Sequence, residues 1–189
     1  MRVRRRRALI VLAVVLALAS CASEPAEQVP LWEHLLRDPP GLEVDPPQSL
    51  DELVEESELV VRGSIAKVRK GPTDRYDSGD PQVGVVESRS EILELDVTEV
   101  LSGEAPETVK VWLTAPIDDR RIELVLPEAE YLWFLTTERS VGDLYLTSSL
   151  AGIIRETPTG LGTLRDPAVG HVVPDGVRTL DELAALVRD

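Results

Sequence analysis

Asparagine is missing from this sequence altogether, and cysteine, methionine and phenylalanine each occur once. Without asparagine there is no Asn-linked glycan acceptor. With Cys21 alone there is no intramolecular disulfide. Lysine is nearly as scarce, at three residues against seventeen arginines, and there are two histidines, His34 and His171. One cysteine and two distant histidines give no zinc-ligand spacing. A G-x-S-x-G elbow is also lacking, so Ser148 and Ser149 in "LTSSLAG" read as ordinary turn residues rather than nucleophiles. Aromatic residues make up 4% of the chain, and no apolar run reaches the ~20 residues that a membrane-spanning helix requires.

What is present begins with charge. "MRVRRRR" places five arginines in seven residues, and "ALIVLAVVLALA", Ala8 to Ala19, follows with twelve apolar residues. A basic start, a short apolar stretch and small residues thereafter form a secretory signal. Arg6-Arg7 also fits a degenerate twin-arginine signal, so both export routes stay open. Once residues 1–20 are removed, 15 basic residues face 34 acidic ones, a net charge of −19. Such a surface repels phosphate backbones, which argues against nucleic acid as a partner. The arginine bias and the missing asparagine are the composition of a GC-rich bacterial genome, and we read it as actinobacterial.

The signal ends in Leu18-Ala19-Ser20-Cys21, which resembles the bacterial lipobox. The resemblance implies cleavage before Cys21 and transfer of a diacylglycerol to its thiol. Lipidated Cys21 would then anchor the chain to the outer face of the cell membrane, with two acyl chains sufficing for stable attachment. Three segments follow from this reading: a lipoprotein signal peptide, 1–20; a Pro-rich tether, 21–48; and a single domain, 49–189.

Within the tether, "RDPPGLEVDPPQ" carries four prolines in twelve residues and excludes a helix or a central strand. "LWEHLLRD" interrupts it, with Leu31, Trp32, Leu35 and Leu36 at helical spacing. That piece either packs on the domain or binds a partner.

Two short helices flank the domain. Ser49 with Glu52, and Thr179 with Glu182, each form the spacing of a capping box. Leu50, Leu53 and Val54 make one apolar face; Leu180, Leu183, Leu186 and Val187 make the other. Between the helices the pattern is that of strands: Glu58–Val68, Ser90–Leu101, Thr108–Thr114, Ile122–Leu126, Glu130–Glu138, Leu144–Ser149, Gly152–Thr157 and Leu161–Arg165. Leu93, Leu95 and Val97 alternate with Glu94, Asp96 and Thr98, then Val100 falls out of phase. A bulge near Thr98–Glu99 is expected. Gly71–Gly84 reads as a long polar loop, in which Asp74, Asp77 and Asp80 are a weak Ca²⁺ candidate without EF-hand spacing. Gly160 and Gly162 lack the lysine of a phosphate loop and read as a hairpin.

"SELVVRGSIAKV", "LDVTEVLSGEAPETVKVWL" and "LPEAEYLWFLTTE" together resemble the small OB-like (TIMP/NTR-like) β-barrel of the netrin-module and metalloprotease-inhibitor superfamily. They are also similar to uncharacterised actinobacterial lipoproteins with the same order. The similarity covers roughly residues 58–157, and it rests on Gly63, Gly103 and the Tyr131–Leu135 strand. It implies a mainly β fold. It does not carry over the inhibitors' chemistry, which uses a free N-terminal cysteine. The expected protein is therefore a membrane-anchored extracytoplasmic lipoprotein. It would bind an envelope protein or polymer without catalysis, metal or cofactor. The alternative is an enzyme, or an enzyme accessory, acting on cell-wall polymer. Trp112, Tyr131 and Trp133 are the candidate binding surface; the same residues at strand spacing also suit a core, with Trp133 and Leu135 pointing inward.

Overall fold

The alternation that marks residues 93–97 has its structural counterpart in the longest ladder of the protein. The computed structural model describes residues 27–36, 46–77, 85–116, 122–137, 143–147, 151–163 and 172–188. Strand β2 (Leu59–Asp77) pairs antiparallel with β3 (Val85–Ser102), and β3 pairs antiparallel with β4 (Val109–Pro116). β4 lies parallel to β7 (Tyr145–Thr147), which is antiparallel to β6 (Tyr131–Thr137). β6 returns to β2, antiparallel, and closes the ring. The result is a five-stranded β-barrel in the order β2-β3-β4-β7-β6, mainly β and OB-like, as the resemblance implies. Outside it, β8 (Ile153–Thr157) extends the sheet from β6 and forms a hairpin with β9 (Gly160–Thr163).

Closure needs strands that bend, and the bends are register shifts. Gly63 pairs with Val97 and Arg62 with Glu99, so Thr98 is the extra residue on β3. This is the bulge that the out-of-phase Val100 predicts, and Val100 is exposed. Gly63 lies opposite the bulge because a Cβ there would come within 2.5 Å of the Asp96 carbonyl oxygen. Gly103, which ends β3, has φ +81°, and its Cβ would meet the Glu58 carbonyl oxygen at 2.2 Å. Both glycines of the sequence pattern are thus required by the backbone.

Two cores result from the period-2 alternation of β6. Tyr131, Trp133 and Leu135 point into the barrel, where they meet Leu59, Val61, Ile65, Leu93, Leu95, Val109 and Val111. Leu132 and Phe134 point outward, under α2 (Leu50–Glu55), α3 (Leu180–Arg188) and β8. The helices start where the capping boxes predict. Ser49 Oγ accepts the Glu52 N–H at 3.2 Å, and Thr179 Oγ1 accepts the Glu182 N–H at 3.2 Å. Glu182 Oε2 in turn accepts the N–H groups of Arg178 and Thr179, which holds its carboxyl below the usual range. Glu156 of β8 accepts the N–H of Leu180 at 2.9 Å and fastens α3 to the sheet. We expect Thr179→Ala to cost about 1 kcal/mol in urea denaturation. An unchanged midpoint would mean that the cap adds nothing.

Three expectations change. Leu186 is not part of the buried face of α3; it is 45% exposed, and Ala184 takes its place beside Leu180 and Leu183. At 3.6 residues per turn Leu186 lies about 120° around the helix from Leu180. Gly71–Gly84 is not all loop, since β2 continues to Asp77 and β3 begins at Val85. Pro72 falls within the register shift between Lys70 and Thr73, where no ladder hydrogen bond is needed, and the ladder resumes with Thr73 opposite Arg89. Asp74 and Asp77 are in β2, and Asp80 is outside the described residues. Finally, residues 27–36, inside the expected tether, belong to the fold. β1 (Glu27–Pro30) pairs in parallel with β5 (Ile122–Val125), and α1 (Leu31–Leu36) packs on the barrel.

Candidate functional site

The end of the barrel that α1 covers gathers most of the uncommon chemistry. Leu31 and Trp32 of α1 enter the interior core beside Tyr131 and Trp133. The Trp32 indole donates to the Tyr131 hydroxyl at 2.8 Å, and the two rings meet edge to face at 5.4 Å. Trp133 stands 5.6 Å from Tyr131 and donates its indole N–H to the Gly63 carbonyl at 3.1 Å. Tyr131 and Trp133 both have 0% exposure. They form the core of the barrel, and the reading of these two residues as an open binding surface is corrected by that burial. Trp112 is half-buried on β4, opposite Ile92, and its buried indole nitrogen has no hydrogen-bond partner among the described residues.

One turn beyond Leu31, the imidazole of His34 faces the carboxyl of Glu91, with Nε2 and Oε1 3.9 Å apart and both residues about 5% exposed or less. Glu91 shares the inward register of Leu93 and Leu95. It is the polar end of that stripe, positioned where the barrel stops and α1 begins. Burial pushes the Glu91 carboxyl above its ordinary 4.5, while Arg89 on its own strand and Lys70 across the ladder pull the other way. The proton balance follows from that direction. The folded chain binds the Glu91 proton more tightly than the unfolded chain does. Its contribution to stability is therefore full below 4.5 and is lost as the pH rises through the raised value. Glu91→Gln cannot lose it. The melting temperature of that variant, relative to the parent, should increase from about pH 4 to about pH 7. A constant offset would show that Glu91 titrates normally.

Two clefts flank Leu126 on this end. One, of ≈ 370 Å³, is lined by Lys67, Val68, Lys70 and Glu91 with Leu124. The other, of ≈ 550 Å³, lies between Ser64–Ile65 and the Pro127–Glu130 segment. The first combines an apolar floor with two of the chain's three lysines, and it can take a group with both an apolar and an anionic part. Next to the second, Arg62 holds Glu130 at 2.9 Å and Thr98 donates to Glu130 at 2.9 Å, which rigidifies the rim.

The other sequence candidates are dispersed. His171, Ser148, Ser149 and Cys21 lie outside the described residues. Gly160 and Gly162 are in the β8–β9 hairpin, as expected, where Thr157 Oγ1 donates to the Gly160 carbonyl. Among the described residues no group of three or more His, Cys, Asp or Glu side chains could hold a metal, and no helix is long and apolar enough to cross a membrane. Sequence reading missed His34–Glu91 because it assigned His34 to the tether. The usable signal was the position of Glu91, two residues before Leu93 on the apolar face. Comparison with protein-family models and with curated proteins finds no match to this chain.

Proposed function

We propose that this protein is a lipid-anchored extracytoplasmic binding module of the cell envelope, attached through acylated Cys21. The interior of the barrel is filled by Tyr131, Trp133 and the α1 residues Leu31 and Trp32, so a ligand must be met on the outside. The observation that carries the reading is the cleft beside Leu126, which combines lysines, a buried carboxyl and apolar walls. The likeness to netrin-module lipoproteins agrees with a binding role but does not name the ligand. Cys21→Ala should move the protein from the membrane fraction to the soluble fraction, or stall its processing. Unchanged detergent partitioning would remove the anchor. A pull-down from membranes with the native anchor, compared with Lys67→Glu/Lys70→Glu, tests the cleft: a partner retained by the double variant is bound elsewhere.

One observation favours the alternative of an enzyme, or enzyme accessory, on cell-wall polymer. Glu91 is a carboxyl of raised pKa beside an imidazole and on a cleft wall, as a general acid would be. Polymer cleavage by the parent and its loss in Glu91→Gln would favour that reading over a binding module.

A further inference from the structure

The link between anchor and fold is much shorter than the composition of the N-terminal segment implies. Only residues 22–26 separate Cys21 from Glu27, and Glu27 is already in β1, opposite Ile122. Six residue steps at 3.3–3.6 Å limit the Cys21–Glu27 distance to roughly 20–22 Å. Had 22–48 been a free tether, its 27 residues would wander over an r.m.s. length of about 26–31 Å and could reach ~90 Å. What removes that reach is the β1–α1 unit. Val29 is 2% exposed, Leu31 0%, and Trp32 is tied to Tyr131 inside the barrel.

We propose that β1 and α1 act as a clip that holds the α1 end of the barrel against the outer face of the bilayer, the occupant of this end face being the lipid surface itself. The inference rests on the anchor reading of Cys21. It also orients the molecule. The β1–β5 ribbon and the cleft of Lys67, Lys70 and Leu124 lie on the membrane side. The Gly103 turn lies at the opposite end, next to Glu58 and the start of β2. Charge does not produce this orientation. Exposed Glu27, Glu33, Glu123 and Glu128 share the end with Lys67 and Lys70, so an anionic surface would not draw it in. The short link does.

The test uses the full chain with its native anchor in phosphatidylcholine vesicles that carry an acceptor-labelled lipid. Because Cys21 is the natural cysteine and would be acylated, Glu123→Cys or Glu104→Cys supplies one labelling site, at the α1 end or at the Gly103 end respectively. Energy transfer from position 123 should exceed that from position 104 several-fold. Inserting twenty Gly/Ser residues after Glu24, which lies outside the described residues, should abolish the difference while leaving the melting curve unchanged. Equal transfer from both positions in vesicle-bound parent protein overturns the clip and leaves the anchor standing. A difference that survives the insertion also overturns it, since some other attraction would then hold that end down. Protein absent from the vesicles overturns the anchor reading and the clip together.

Discussion

Trp133→Ala is expected to yield an aggregated or protease-sensitive product. Trp133 is fully buried on β6, packs against Tyr131 and Trp32, and donates its indole N–H to the Gly63 carbonyl. Truncating a buried tryptophan costs about 3–5 kcal/mol, and the Gly63 carbonyl is left without that donor next to the bulge that bends β3. Domains of this kind have about 5–15 kcal/mol in all. The measurement is proteolysis of the purified variant against the parent. A variant as resistant as the parent would mean that the barrel interior tolerates the cavity and that the closure of β6 on β2 does not depend on it.

Trp32→Ala should have an effect of the same order, which is a strong claim for a residue in a segment that reads as a tether. It removes a buried ring, about 3–5 kcal/mol, and leaves the Tyr131 hydroxyl buried without its donor, about 1–3 kcal/mol more. A chain that begins at Pro46 should lose at least as much, because Val29 and Leu31 go with Trp32. Urea denaturation followed by the fluorescence of the remaining tryptophans, Trp112 and Trp133, reports both. If either form matches the parent midpoint, β1 and α1 are an accessory layer, and the clip has no strength with which to hold the barrel at the membrane.

The barrel was legible where local rules suffice. Alternation along 93–97 and 131–135 identifies the inward residues, since successive side chains of a strand point to opposite faces. Ser49 and Thr179 announce helix starts because a free backbone N–H needs an acceptor within three residues. The Thr98 bulge was visible as a break in phase. The same reading failed on Gly71–Asp77, where turn-type composition is overruled by the pairing of β2 with β3. For Tyr131 and Trp133 it left surface and core both open, because spacing shows that two residues share a face but not whether that face is covered; their burial decides for the core.

Composition and local pattern alone determined the −19 charge after residue 20, the lipobox-like Cys21, the absence of disulfide pairing, the capped helices and the β character of the domain. Tertiary structure alone decided that β1 pairs with β5, that Trp32 bonds Tyr131 across 99 residues, and that His34 meets Glu91 at the barrel mouth. The reason is physical. Caps, turns and alternation are settled by interactions within a few residues, whereas a ten-residue segment too short to fold alone takes its structure from the surface that it covers. Nothing within residues 27–36 specifies that surface, which exists only once the barrel has closed.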